Sequence, residues 1–114
     1  MLVAVEGGRI VGTATLELQH RVEPEDDPPL APGQAEIRMV AVHPEARGRG
    51  IGRALMEACL REARAAGKTI VTLHTTRRMD VARRMYESMG FRRGADRVFD
   101  DGFVLLSYSL ELAP

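Results

Sequence analysis

At 114 residues the chain has the length for one hydrophobic core and not for two. Its 45% hydrophobic and 28% charged residues make an ordinary globular balance, and 16 Lys+Arg against 16 Asp+Glu leave no basic excess for a general nucleic-acid binder. One cysteine, no apolar run near the roughly 18 residues of a membrane span, and no charged leader argue against a disulfide, a cysteine metal cluster, a membrane role or a signal peptide, and favour a cytoplasmic setting.

The pass along the chain starts with "LVAV" (2–5) and "IVGTATLEL" (10–18), two strand-like runs around Gly7-Gly8 that predict a hairpin. Residues 19–34 come next as a long loop, holding four of the six prolines and four acidic residues. "AEIRMVAVHP" (35–44) is strand-like and stopped by Pro44. Ile51, Leu55, Ala58 and Cys59 then share one helical face, Cys59 as a small core hydrophobe, and Gly67 closes that helix. "TIVTLHT" (69–75) is a short buried strand, and Ala82, Met85, Tyr86 and Met89 mark a second helix closed by Gly90. "FRRGADRVF" and "FVLLSYSLEL" form a closing hairpin. The unit from 35 to 75 is expected to be a parallel, right-handed strand-helix-strand crossover inside a mostly antiparallel mixed sheet.

The stretch between the third strand and its helix carries the chemistry. Arg47 to Arg53 holds three glycines and three arginines in seven positions. A glycine-rich turn opening a helix is an anion site, because the first N–H groups converge on the ligand and the helix dipole favours negative charge. Two nucleotide readings fail on spacing. Gly52 is followed by Arg53-Ala54 rather than Lys-Ser/Thr, and a G-x-G-x-x-G count ends on Arg53 or on Leu55.

What the stretch does fit is R-x-x-G-x-G, at Arg47, Gly50 and Gly52. Together with "AEIRMVAVHPEARGRGIGRALMEACL" and "ARRMYESMGF", it resembles the GCN5-related N-acetyltransferase (GNAT) superfamily over nearly the whole chain. The resemblance implies an α+β fold in three layers, α/β/α, with a mixed, mostly antiparallel sheet around a parallel acetyl-CoA-binding unit. It implies one domain (1–114) that moves the acetyl group of acetyl-CoA, a co-substrate, directly to a primary amine, with no metal. The alternative is a non-catalytic acyl-CoA-binding or sensing module.

Carried over residue by residue, the resemblance assigns the pyrophosphate to the main chain of Arg47, Gly48, Arg49, Gly50, Ile51, Gly52 and Arg53. The pantetheine arm falls to Val40, Ala41 and Val42, with the Val40 N–H on the acetyl carbonyl. Tyr86 is the candidate acid for the departing thiolate, or else a packing residue. Glu36 is the candidate base, through a water, or else a solvated strand-end carboxylate. His74 is a more distant candidate for base, and His43 reads as a loop residue.

Two departures stand out: Met79 occupies a position where the family often has asparagine, and the strand and two helices that usually precede the first hairpin are missing. The expected consequences are an acceptor wall supplied by the 19–34 loop, by a second subunit or by a longer parent chain, and a homodimer formed over an exposed apolar sheet surface. The acceptor is a small-molecule amine or a protein or peptide amine, and "EPEDD" (23–27) favours a cationic one. Neither nucleic acid nor membrane is an expected partner.

Overall fold

The computed structural model describes residues 2–18 and 30–112. Strands β1 (Leu2–Glu6) and β2 (Arg9–Glu17) form the opening hairpin, with Glu6 paired to Arg9 across Gly7-Gly8. β3 (Gln34–Val42) returns antiparallel to β2, and α1 (Ile51–Ala65) carries the chain to β4 (Ile70–Thr75), which pairs parallel to β3. After α2 (Asp80–Ser88) come two short strands, β5 (Arg92–Arg93) and β6 (Arg97–Val98), and then β7 (Val104–Glu111). The main sheet runs β1-β2-β3-β4-β7-β5, with β6 also on β7. This is the expected α+β class with one parallel pair.

Alternation sorts the sheet into two unlike faces. Ala35, Ile37, Val71, Leu73, Leu106 and Tyr108 are buried together on one face. Leu55, Met56, Cys59, Leu60 and Ala63 of α1 pack onto it. Gly12 lets α1 come close, since a Cβ there would stand 3.0 Å from Ile51 and Leu55 side-chain carbons. Tyr86 of α2 joins the same core, its ring centroid 6.0 Å from those of Tyr108 and Phe91. Both helices end on a carbonyl five residues back, with Lys68 N–H bonded to Ala63 and Phe91 N–H to Tyr86.

The opposite face carries Glu17, Glu36, Arg38, Thr72, His74, Ser107 and Ser109. Three layers were expected; among the described residues both helices lie on one face, so the layering there is helix on sheet. The second face is polar from β3 to β7, which removes the apolar sheet surface expected there. Exposed Val3, Val5 and Ile10 sit instead on the β1–β2 hairpin. The expected strand "FRRGADRVF" is interrupted at Gly94–Asp96, where Gly94 N–H bonds the Ser107 carbonyl and Arg93 pairs with Asp96. Residues 19–29 of the expected loop lie outside the described residues.

Two irregularities in β3 prepare the ground beside the helix start. Its pairing with β4 runs only from Gln34↔Ile70 to Ile37↔Leu73, so beyond Ile37 the two strands part like a fork. On the β2 side, Thr13 pairs with Ala41 but Thr15 with Arg38, leaving one extra β3 residue opposite Ala14. Such a bulge turns the local main chain and re-aims its N–H and C=O groups.

Candidate functional site

The loop after β3 is built from a capped 3-10 turn and a pair of left-handed glycines. His43 Nδ1 accepts the Glu45 N–H at 3.2 Å and caps the turn Pro44–Ala46. His43 is therefore a structural loop residue, as expected. Gly48 and Gly50 take φ of 81° and 79°, and Gly50 is the N-cap of α1. No side chain caps the helix and its first turn has no acidic residue. The first helical bond comes from Ala54 N–H to the Gly50 carbonyl at 3.0 Å, so the Ile51, Gly52 and Arg53 N–H groups stand ahead of it. An uncapped helix start with free donors is a cradle for an anion.

This cradle opens into a cleft of about 910 Å³ between the unpaired edge of β3 and the start of α2. Val40, Ala41 and Val42 form one wall. Four arginines line it, Arg47, Arg53, Arg78 and Arg84, against one carboxylate, Asp80. In a chain of zero net charge that is a local concentration of positive field suited to a polyanion. Gly52 tests the fit. Its added Cβ would meet Val42 and Met85 only at 3.7 Å and 3.9 Å, ordinary contacts, and its φ is not in the left-handed range. The protein itself does not require glycine there; a ligand approaching the helix start would.

Of the expected cofactor residues, Arg47, Gly48, Gly50, Ile51, Gly52 and Arg53 line the cleft with the three β3 residues. The Arg49 side chain pairs with Glu6 and the Glu45 carbonyl, which leaves only its main chain for the expected role. Arg53 is held half-exposed by Glu57 and Ser88 at 3.2 Å each. Met79, where the family often has asparagine, is the N-cap of α2, offers no capping hydrogen bond and lines the cleft. Tyr86 lines the cleft too while its ring packs in the core, and burial pushes its phenol pKa up.

Arg78 and Arg84 escaped the sequence reading. Their signal was the polar side of the second helix and its approach, "TTRRMDVARR", whereas only the apolar spacing of that helix was followed. The β3 bulge left no sequence signal, since "EIRMVAV" reads as an unbroken strand.

Glu36 lies on the other face, lining a cavity of about 520 Å³ that also touches Arg38, Thr72, His74, Ser107 and Ser109. It is 6% exposed, not a solvated strand-end group. Arg38 Nε sits 2.9 Å from Glu36 and 3.4 Å from Glu17, so one guanidinium serves two buried carboxylates that face each other across β2 and β3. His74 Nδ1 stands 3.2 Å from Glu36 Oε1. Burial alone would raise the Glu36 pKa, but hydrogen bonds from His74 and Arg38 and the Arg38 charge outweigh it and hold the carboxyl below its ordinary value. Tyr108, which lines the cavity, and Tyr86, which lines the cleft, are in ring contact with centroids 6.0 Å apart.

No group of three or more His, Cys, Asp or Glu among the described residues is arranged for a metal, and no described helix is long and apolar enough to cross a membrane.

The acetyltransferase (GNAT) family model matches residues 1–91. N-acetyltransferase 8B of Mus musculus is 31% identical over 118 residues, an alignment covering 97% of this chain and 48% of that protein. The chain thus spans about half the length of such a curated relative. Among solved structures, a protein of the GNAT family from Desulfovibrio desulfuricans superposes with a TM-score of 0.78 at 26% identity, over 97% of this chain and 68% of its own. YncA of Salmonella typhimurium, solved with its cofactor acetyl-CoA, gives 0.76 at 25% identity, over 98% and 64%.

Proposed function

The chain belongs to the acetyltransferase (GNAT) family, and from that premise we propose that it transfers the acetyl group of acetyl-CoA to a primary amine. The observation that carries the reading is the uncapped, glycine-bearing start of α1 opening into the arginine-lined cleft beside the free edge of β3. Main-chain N–H groups from Gly48 to Arg53 would hold the pyrophosphate, with Arg47 and Arg53 adding charge at the rim. The edge from Val40 to Val42 would pair with the pantetheine amides as an added strand does, and the bulge supports aiming the Val40 N–H at the acetyl carbonyl. Acetyl-CoA, when bound, supplies the activated thioester.

Tyr86 is assigned the proton for the departing sulfur; its position on the cleft wall and its raised pKa support a phenol protonated at neutral pH. Glu36 is assigned to the acceptor side as the base, through a water, from the cavity whose lining residue Tyr108 touches Tyr86. Small-molecule and protein amines both stay within the reading. So does a preference for cationic acceptors, supported by the charge of residues 23–27, which lie outside the described residues. A homodimer belongs to the same proposal, supported by exposed Val3, Val5 and Ile10 on the edge hairpin; light scattering at micromolar concentration giving a clean monomer mass would remove it. A reducing, cytoplasmic setting is supported by the single buried, unpaired Cys59.

The test is incubation with acetyl-CoA and a mixed amine panel while free thiol is followed. Thiol release that depends on an amine is the expected result. Thermal stabilisation by CoA with no release on any amine would favour the binding module instead.

A further inference from the structure

β4 ends its core-facing row on a polar residue. Val71, Leu73 and Thr75 share the helix face by alternation, and the first two are core hydrophobes. Thr75 is 4% exposed, and its Oγ1 is buried with no hydrogen-bond partner among the described residues. A hydroxyl so placed gives up water and gains nothing from the protein, where valine would fill the same shape without that loss. Such a group calls for a partner from outside the chain.

Its place in the fold says which partner. Thr75 is two residues past Leu73, the last β4 residue paired to β3. Carried on in the same register, the pairing would set Thr75 opposite Met39, next to Val40; the strands part instead, and β3 bulges there. On its other side Thr75 pairs with Leu106 of β7, so its diagonal neighbour on the helix face is Tyr108, against whose ring Tyr86 packs at 6.0 Å. Thr75 therefore borders a slot whose other borders are the Val40 stretch of β3 and Tyr86. The acetyl-transfer reading sends the sulfur of acetyl-CoA into that slot, between the Val40 N–H that meets the carbonyl and the Tyr86 hydroxyl that protonates the leaving group.

We propose that the Thr75 hydroxyl is a second hydrogen-bond donor to the sulfur of CoA, beside Tyr86, and so a binding residue for the leaving group; this rests on the acetyl-transfer reading. The contact is weak toward a neutral sulfur. It strengthens as sulfur takes on negative charge, because hydrogen bonds to charged groups are the stronger ones. A contact that tightens in this way raises the rate rather than merely the affinity. No covalent step is added: Thr75 keeps its own proton, and Tyr86 remains the proton donor. Because Oγ1 is covered, the arm reaches it by parting the side chains over the slot, which strands that have already separated allow and a closed ladder would not.

The experiment compares wild type, Thr75→Val and Thr75→Ser in three readings. These are the melting temperature without ligand, the affinities for CoA and for desulfo-CoA (hydrogen in place of the thiol) by titration calorimetry, and kcat by thiol release with acetyl-CoA and whichever amine of the panel turns over. Thr75→Val is expected to melt at or above the wild-type temperature, to lose about 3-fold or more in affinity for CoA and none for desulfo-CoA, and to lose about 10-fold or more in kcat. Thr75→Ser, which keeps the hydroxyl, is expected to return both the CoA affinity and the rate toward wild type. A Thr75→Val protein with wild-type kcat and wild-type discrimination between CoA and desulfo-CoA would overturn the contact while leaving acetyl transfer standing. So would an equal loss on both ligands, which would put the hydroxyl on another part of the arm. So would a Thr75→Val protein that melts well below wild type, which would give the hydroxyl a structural partner. Wild type that binds CoA yet releases thiol on no amine would overturn the acetyl-transfer reading itself, and the leaving-group role with it.

Discussion

Gly50 and Gly52 sit two positions apart and answer to different constraints. Gly50 has open space where a Cβ would go but a φ of 79°, so its requirement is conformational. Gly52 has neither a left-handed φ nor a clash within the protein. The two therefore predict opposite behaviour on substitution. Gly50→Ala should lower stability by about 1 kcal/mol from backbone strain. Gly52→Ala should melt at or above the wild-type temperature, since Ala is the better helix former, yet lose most of its thermal shift with CoA. Melting curves with and without CoA check both at once, and a Gly52→Ala protein stabilised by CoA as fully as wild type would show that nothing passes close to that Cα. Tyr86→Phe is predicted to keep the fold and to lower kcat by roughly 10²-fold or more, the scale of a lost general acid; near wild-type turnover would leave Tyr86 as a packing residue of the core it shares with Tyr108 and Phe91. These glycine spacings were legible in the sequence because motif spacing is local. The side-chain direction of Arg49 was not, because it is set by Glu6, 43 residues earlier in the chain.

At the scale of the element, β3 does most of the positioning. Its first half is a paired strand between β2 and β4, and its second half is a bulged, one-sided edge. Alternation and β-branched residues predicted the strand correctly; the fork and the bulge depend on where β4 stops pairing, a long-range fact. The same holds for the closing strand, where local pattern suggested one run and Gly94–Asp96 divides it. β3 also sets a pH dependence. Glu36 has a folded pKa below its ordinary value of 4.5, so it binds protons more readily in the unfolded chain. Its contribution to stability is therefore fully present above about that ordinary value and is lost as pH falls through the lower folded pKa. Denaturation midpoints should show wild type losing its advantage over Glu36→Gln on that acid descent; a gap independent of pH would contradict the linkage. Arg38→Met should cost about 3 kcal/mol, the low end for breaking a buried pair, because Glu17 and Glu36 then face each other without the guanidinium that both contact.

At the scale of the molecule, one sheet separates two cavities of unlike character. The helix side holds an arginine-lined cleft suited to a polyanion, and the bare side holds a polar cavity with Glu36, His74 and two serines. Zero net charge concealed this arrangement, since composition averages over faces that the fold keeps apart. The order of the first four strands and both helices, the parallel crossover and the glycine turn before α1 were readable from periodicity and glycine placement. The one-sided layering and the Glu36–Arg38–His74 cluster were not, because each depends on which strands become neighbours. What unites the two faces is the claim that main-chain amides at the start of α1 grip a diphosphate. Amide-resolved NMR of the ¹⁵N-labelled protein during titration with CoA tests that claim most directly. The account predicts that the largest shifts fall on the Gly48 to Arg53 amides, with a second group from Val40 to Val42. Saturating CoA that leaves the Gly48–Arg53 amides unmoved would contradict it.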